Sequence, residues 1–97
     1  MNKIGYVERC AVYSDALDVF GGDTQLIVAV EELSECQKEI CKVLRGDGDL
    51  EHLAEEVADA TIMLEQVRLM FDIYDATCRH MDANIERLKK QIEARNG

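Results

Sequence analysis

Residues 28–37 read VAVEELSECQ, and residues 53–64 read LAEEVADATIML. In both stretches, aliphatic residues recur at the three- and four-residue steps of a helix that packs against other elements. Acidic residues nevertheless interrupt both stretches at positions where a buried helix is normally apolar. The two stretches therefore predict a pair of central helices that carry carboxylates into the protein.

The helical repeat extends outward from these stretches to residues 24–44 and 49–70. Each segment has more than one apolar face, so we expect both helices to be buried on two sides. In the first segment the main stripe is Leu26, Val30, Leu33, Gln37, Ile40 and Leu44, and a second, weaker face is Val28, Ala29, Cys36 and Val43.

Two glycine-containing breaks, residues 21–24 and 45–49, bound the central segments. Each break combines Gly, which commonly ends a helix, with an Asp or Thr that is able to cap the next one. A third break is predicted at residues 72–75, where the apolar register falters and where Asp72 or Asp75 is able to cap a last helix.

The outer segments are also helical in pattern. An amphipathic helix is expected over residues 3–20, and a last helix with a narrow apolar stripe is expected to run to about Arg95. The predicted fold is all-α, a four-helix, bundle-like protomer in which residues 1–97 form a single domain.

Composition narrows the classes of function. The chain has 97 residues and no Pro, and 47% of its residues are hydrophobic, which is too apolar for a disordered tail. A formal net charge of −9 disfavours binding to nucleic acid or to an anionic membrane. An anionic ligand such as a nucleotide would need a divalent cation between itself and the protein carboxylates.

The sequence contains no pattern typical of a signal peptide, a membrane-spanning helix or a cysteine-rich zinc module. The start, MNKIGYVERC, lacks the apolar stretch of a signal peptide, and no apolar run approaches the length that spans a bilayer. The four cysteines lack the spacing of a zinc module, so we expect small buried thiols in a reducing compartment. These features favour a soluble, cytoplasmic protein.

The acidic residues form a doubled pattern. Glu32 and Glu35 lie one turn apart on one helix face, and Glu56 and Asp59 do the same on the other central helix. If the two helices pack antiparallel, four carboxylates come together. Clusters of oxygen ligands suit hard cations, and Mg²⁺ usually shares its remaining positions with water and substrate phosphates.

Two other interpretations of these residues stay open. An acidic run on a helix is most often a solvated face, although the doubling of the pattern weakens that interpretation. His52 shares a face with Glu56 and Asp59, and we expect it to be a surface group or a neighbour of the ligands rather than a ligand.

The spacing resembles the signature of the all-α nucleoside triphosphate pyrophosphohydrolases of the MazG type, a family that includes dimeric dUTPases and dCTP pyrophosphatases. The signature here is Glu31-Glu32-x-x-Glu35, then twenty residues, then Glu56-x-x-Asp59. The similarity extends over about residues 18–93 and is greatest to short, single-domain, phage- and Gram-positive-type members. It is supported by Phe20-Gly21, Gln25, Arg45-Gly46, Phe71-Asp72-Ile73 and Ile85-Glu86-Arg87-Leu88-Lys89.

The resemblance implies an enzyme that hydrolyses a nucleoside triphosphate to the monophosphate and pyrophosphate. The implied cofactor is Mg²⁺, which Mn²⁺ is able to replace. The metal ligands carried over are Glu32, Glu35, Glu56 and Asp59. Glu31 matches the catalytic glutamate that orients or deprotonates the attacking water.

The substrate contacts that the resemblance implies are Gln25, Asn84 and Arg87. Many relatives have Lys where this chain has Asn84, so the match at the phosphates is incomplete. For Arg87 the alternative is an ordinary surface residue that complements the dipole of the last helix.

The same features predict self-association. Two helices that are apolar on more than one side would expose large apolar patches in a monomer, so we expect a homodimer or a homotetramer built from dimers. The family resemblance implies the same.

Two alternative functions remain. The first is a non-enzymatic helical assembly module that retains the acidic cluster as a metal-binding or structural feature. The second, a di-metal oxidative bundle, is disfavoured because Glu-x-x-His motifs are missing: Lys38 and Ile62 stand three residues after Glu35 and Asp59.

Overall fold

The structure is a computed structural model that describes residues 3–97. This part of the chain contains four helices and no strand, which confirms the all-α prediction. The helices are α1 (Tyr6–Phe20), α2 (Gly22–Leu44), α3 (Leu50–Met70) and α4 (Tyr74–Asn96). Within the described residues, no helix is both long and apolar enough to cross a membrane.

Helices α2 and α3 form the centre of the protomer, as predicted. Their contacts run antiparallel: Glu32 approaches Asp59, and Glu39 approaches His52. Small residues allow the close approach of the two backbones, since Ala29 on α2 and Ala60 on α3 are both buried. Helix α1 packs across this pair, whereas α4 contacts α3.

The break between α1 and α2 is shorter than predicted. Gly21 alone separates the two helices, and its φ of 89° lies in the left-handed region that favours glycine. Helix α2 begins at Gly22 without a side-chain cap, so the predicted capping by Asp23 or Thr24 is wrong. Helix α1 likewise begins after Gly5 rather than at residue 3.

The break between α2 and α3 follows the prediction. Gly46 adopts a φ of 84°, and the N–H of Asp47 donates to the carbonyl of Lys42 at 3.0 Å, which closes α2 with a Schellman motif. Asp49 then caps α3, because its carboxylate accepts a hydrogen bond from the N–H of Glu51 at 2.9 Å.

The third break is also present, but its aspartates act differently from the prediction. Asp72 has a φ of 53° and occupies the position where Gly is usual, while the N–H of Ile73 donates to the carbonyl of Arg68 at 3.0 Å. Asp72 therefore ends α3 and does not cap α4. Asp75 lies inside the first turn of α4, which has no side-chain cap.

Aromatic and cationic side chains hold the starts of α1 and α4 together. The rings of Tyr6 and Tyr74 lie 5.6 Å apart between centroids. Arg9 lies over the Tyr6 ring and Arg68 over the Tyr74 ring, at 5.4 and 5.6 Å. This cluster fixes the first turn of α4 beside α1 and α3.

The face of α2 that packs inside the protomer is not the face with the strongest apolar stripe. Ala29 from the weaker predicted face is buried, whereas Val30 and Leu44 from the main stripe are 67% and 82% exposed. The expectation that α2 is buried on two sides is therefore wrong for the protomer. Its second apolar face is left open.

Helix α4 is the least packed element. It has no buried residue, and every residue from position 79 onward is exposed. Its predicted stripe, Met81, Ile85, Leu88 and Ile92, is present and exposed, and Met81 at its start contacts Arg68 of α3.

The cysteines are free but less buried than expected. Cys10, Cys36 and Cys78 are half-buried, and Cys41 is exposed.

Candidate metal centre

Three of the predicted carboxylates come together where α2 meets α3. Glu32, Glu56 and Asp59 each place a carboxylate oxygen within 4.8 Å of the other two. Glu32 and Glu56 are half-buried, and Asp59 is exposed. Glu56 and Asp59 share a face of α3 one turn apart, and the antiparallel packing brings Glu32 opposite them.

The pKa of Glu32 reflects the electrostatic repulsion within this group. Burial raises the pKa of Glu32 above its ordinary value of 4.5, and the charges of Asp59 and Glu56 raise that pKa further. Smaller contributions to the same pKa come from Glu31 and Glu35. The cluster is therefore electrostatically unfavourable on its own and would be relieved by a cation.

The donor set fits a hard divalent cation. All three ligand atoms are carboxylate oxygens, one side of the cluster is exposed, and Asp59 and Glu32 line a cavity of about 170 Å³ beside it. Mg²⁺ and Mn²⁺ prefer such oxygen ligands and retain positions for water or phosphate. Glu32, Glu56 and Asp59 are the residues that would hold the cation.

The other two predicted acids are nearby but are not part of this group. Glu35 lies one turn after Glu32 on the same face of α2, and Glu31 precedes Glu32; both are exposed. Neither Glu31 nor Glu35 belongs to the group of oxygens within 4.8 Å. The role of Glu35 as a ligand and that of Glu31 as a base therefore stay predictions.

The predicted substrate residues are distributed over two elements. Gln25 is 8% exposed and lies on α2 seven residues before Glu32, on the same helix face. Asn84 and Arg87 are exposed on the open part of α4. Asn84 lines a cavity of about 330 Å³ between α3 and α4 whose walls contain none of the clustered carboxylates. Within one protomer, the cavity that Asn84 lines is therefore separate from the clustered carboxylates.

A second group of charged side chains, not predicted from the sequence, lies next to the cluster. Glu39 is 3% exposed, forms an ion pair with Lys42 at 3.0 Å and lies 3.1 Å from Nδ1 of His52. The other ring nitrogen of His52 lies 3.4 Å from Glu56. His52 thus links a buried carboxylate of α2 to one of the clustered carboxylates of α3.

Sequence reasoning assigned His52 to the correct face but missed Glu39. The available signal was Lys42, three residues after Glu39 on the same helix, which is the spacing of an intrahelical ion pair. The pairing with His52 depends on the register of α2 against α3, and the sequence pattern does not contain that register.

Comparison with known proteins leaves the site to be interpreted from its own geometry: no family model, no curated protein and no solved structure matches the chain.

The first prediction concerns pH and Glu32. Because its pKa is raised in the folded chain, the protonated form stabilises the fold at low pH, and this contribution is lost as pH rises through the raised pKa. Without divalent cations, Glu32→Gln should therefore melt at a higher temperature than the wild type at pH 7. The difference should shrink as pH falls below the ordinary carboxyl value. Equal melting temperatures of the wild type and Glu32→Gln at pH 7 would show that ionised Glu32 does not destabilise the fold.

The control for Glu32→Gln is Glu55→Gln, which makes the same chemical change at an exposed position of α3. It should leave the melting curve unchanged at both pH values.

The second prediction concerns the contact between Glu39 and His52. His52→Ala should lower the free energy of unfolding by about 1–2 kcal/mol, because a buried carboxylate loses one of its two side-chain partners. In the Glu39→Gln background the same change should cost less, since no buried charge is left to compensate. A double-mutant cycle by urea unfolding measures the coupling, and a coupling energy of zero would show that the contact does not stabilise the fold.

Proposed function

We propose that the chain is a divalent-cation-dependent nucleoside triphosphate pyrophosphohydrolase, which produces a nucleoside monophosphate and pyrophosphate. The observation that carries the proposal is the convergence of Glu32, Glu56 and Asp59 within 4.8 Å across the two central helices. The resemblance of the doubled acidic motif to the MazG-type signature gives the reaction class. Mg²⁺ is the expected cofactor, and Mn²⁺ is expected to replace it.

The cation, when bound, supplies charge neutralisation for the triphosphate and acidifies water. The chain's own contribution begins with Glu32, Glu56 and Asp59, which bind it. Glu35 is on the same face of α2 and is the proposed fourth ligand. Glu31 is the proposed base, because a further carboxylate beside the ligands is able to accept the proton of the attacking water.

The proposed substrate contacts divide between protomers. Gln25 is on α2 with the ligands and belongs to the same chain's site. Asn84 and Arg87 are on the open part of α4, and we propose that they bind phosphates at the site of another copy. If Arg87 does not bind phosphate, its role is to complement the dipole of α4.

Self-association is part of the proposal. The protomer exposes 7623 Å², whereas a compact monomer of 11.0 kDa exposes roughly 5,600 Å². Its radius of gyration is 16.5 Å, against about 12.5 Å for a compact chain of this length. We propose a homodimer, or a homotetramer built from dimers, that covers the open face of α2 and the stripe of α4.

The alternative function is a non-enzymatic helical assembly module, which the uncovered stripe of α4 also supports. The acidic cluster would then bind a cation without catalysis. The two functions differ in turnover, so the activity experiment separates them. Cytoplasmic location belongs to the proposal as well, since nucleotide pools and reduced thiols are both found there.

The third prediction tests the reaction. With Mg²⁺, the protein should convert at least one canonical nucleoside triphosphate or deoxynucleoside triphosphate to monophosphate and pyrophosphate, identified by phosphorus NMR. Glu31→Gln should keep its Mg²⁺ affinity and lose on the order of 10²–10⁴ in rate, as expected for removal of a base. Asp59→Asn should lose both affinity and turnover.

The control for these variants is Glu55→Gln, which should retain full turnover. If Glu31→Gln loses Mg²⁺ as completely as Asp59→Asn, the division into base and ligands is wrong. If neither variant loses activity, the reaction does not occur at this cluster.

The fourth prediction tests assembly. Sedimentation equilibrium at micromolar concentration should give a mass of two or four protomers, and Leu88→Lys should shift the distribution toward the monomer because it places a charge in the apolar stripe. Glu86→Lys, an exposed charge change next to that stripe, should have a much smaller effect. A single 11 kDa species for the wild type would exclude the proposed assembly.

A further inference from the structure

The second half of α4 lies outside the packed part of the protomer. Every residue from position 79 onward is exposed, and α4 has no buried residue along its length. Helices in proteins owe most of their stability to the packing of an apolar face rather than to the intrinsic propensity of their residues. Residues 79–96 therefore need a partner that covers their apolar stripe.

The stripe of α4 has the spacing of a coiled coil. Met81, Ile85, Leu88 and Ile92 follow one another at steps of four, three and four residues, which are the steps between the a and d positions of a heptad repeat. These four side chains are 49–61% exposed. Such a narrow stripe packs against a single helix, whereas a helix on a globular core carries a wider apolar face. The stripe is therefore suited to one partner helix with the same spacing.

The α4 helix of a second copy provides a matching stripe when the two helices run antiparallel. In an antiparallel pair, each a position faces a d position of the other helix. Ile85 then packs against Leu88 of the second copy, and Ile92 packs against Met81 of the second copy. The two-fold symmetry of the pair repeats both contacts, which gives four apolar layers.

Two charged side chains beside the stripe favour the antiparallel orientation. Asp82 and Lys89 both occupy the e position of the heptad. Since e positions lie opposite each other in an antiparallel pair, Asp82 faces Lys89 of the second copy, and symmetry produces two such ion pairs. Neither residue forms an ion pair within residues 3–97. In a parallel pair, e positions face g positions instead, so Lys89 would face the neutral Asn84.

The distribution of charge along the chain favours the same orientation. Residues 79–97 contain five Lys or Arg and three Asp or Glu, whereas residues 1–78 contain six Lys or Arg and seventeen Asp or Glu. Antiparallel pairing brings the basic end of each chain toward the acidic part of the other chain. Parallel pairing would place the two acidic parts side by side, which is electrostatically unfavourable.

A cavity lies where the stripe meets the packed part of the protomer. It is the cavity of about 330 Å³ between α3 and α4, and its mainly apolar walls include Leu64, Val67 and Met81. The guanidinium of Arg68, which also lines the cavity, donates from Nη2 to the sulfur of Met81 at 3.2 Å. Because Ile92 of the second copy faces Met81 in the antiparallel pair, its side chain lies beside this cavity.

We propose that α4 is a self-association helix that pairs antiparallel with α4 of a second copy through its apolar stripe, and that Asp82 and Lys89 set the orientation. The inference rests on the self-association proposed above, to which it gives a defined interface, and it does not depend on the reaction. Arg87 lies outside the paired stripe, so the pairing leaves its proposed phosphate contact possible.

Exchange of the two charges tests the interface. Asp82→Lys and Lys89→Asp each replace two pairs of opposite charge with two pairs of like charge, so each should raise the dissociation constant about tenfold at low ionic strength. The double variant restores both pairs with the charges exchanged, so its dissociation constant should return to within about twofold of the wild-type value. Sedimentation equilibrium of the whole chain measures all four proteins.

The single substitutions also separate the proposed ion pairs from general charge repulsion. Asp82→Lys makes the net charge of the chain less negative, and Lys89→Asp makes it more negative. If net charge alone governed association, Asp82→Lys would tighten it, whereas the proposed pairing predicts that both substitutions weaken it. The control combines Glu86→Lys with Lys90→Glu, two exposed positions outside the stripe, and should leave the dissociation constant unchanged.

An NMR experiment on the wild type determines the orientation without any substitution. In a mixture of carbon-13-labelled and unlabelled protein, isotope-filtered spectra report contacts between copies only. The antiparallel pair predicts contacts between Ile92 of one copy and Met81 of the other, which lie at opposite ends of the stripe. A parallel pair would give contacts between the Ile92 side chains of the two copies.

Four outcomes would overturn the inference: a monomeric wild type, tighter association of Asp82→Lys, a double variant as weak as the single variants, or contacts between two Ile92 side chains. A monomeric wild type would also exclude the proposed self-association, whereas the other three outcomes would leave it standing with a different interface. Turnover of nucleoside triphosphates is measured separately, so its absence would contradict the proposed reaction and leave the pairing of α4 intact.

Discussion

The packing of α2 against α3 holds three carboxylates together against their mutual repulsion, and the candidate site depends on that packing. Carboxylate oxygens of Glu32, Glu56 and Asp59 lie within 4.8 Å of one another, and the pKa of Glu32 is raised by burial and then by the charges of Asp59 and Glu56. The helix pair keeps them together because Ala29 and Ala60 allow close backbone packing. The packing of α2 against α3 therefore offsets an unfavourable charge interaction that a cation would reverse.

The ion pairs next to the cluster show how a carboxylate is stabilised without a metal ion. Glu39 is nearly inaccessible to solvent, yet Lys42 compensates its charge and His52 lies within hydrogen-bond distance of it. Among residues 3–97, no Lys or Arg forms an ion pair with the clustered carboxylates, and His52 contacts Glu56. This difference between two neighbouring acidic groups is what separates a structural ion pair from a candidate cation site, because only the second group lacks sufficient positive charge.

Local signals in the sequence predicted most of the backbone. The helix period located α2 and α3, and Gly46 and Asp49 marked the turn between them as the structure has it. Asp72 was harder to interpret, because an aspartate in the left-handed region ends a helix by the same hydrogen bonds as a glycine. The orientation of α2 was predicted poorly, since the face with the strongest apolar stripe is the one left open. Period alone does not say which of two apolar faces meets the neighbouring helix and which meets another copy.

Helix spacing predicted which acidic residues of the candidate site share a helix face, and nothing beyond that. Steps of three residues placed Glu56 with Asp59, and antiparallel packing placed Glu32 opposite them. The burial of Glu39 and its contact with His52 depend on the register between helices, which no single segment contains.

The most direct measurement is the melting temperature of the wild type and Asp59→Asn across a series of Mg²⁺ concentrations. If the cluster is a cation site, the wild-type melting temperature rises with Mg²⁺ by mass action, and Asp59→Asn shows little or no rise. Melting temperatures that stay flat for both proteins up to millimolar Mg²⁺ would contradict the account, because the clustered carboxylates would then be an acidic surface without a bound cation.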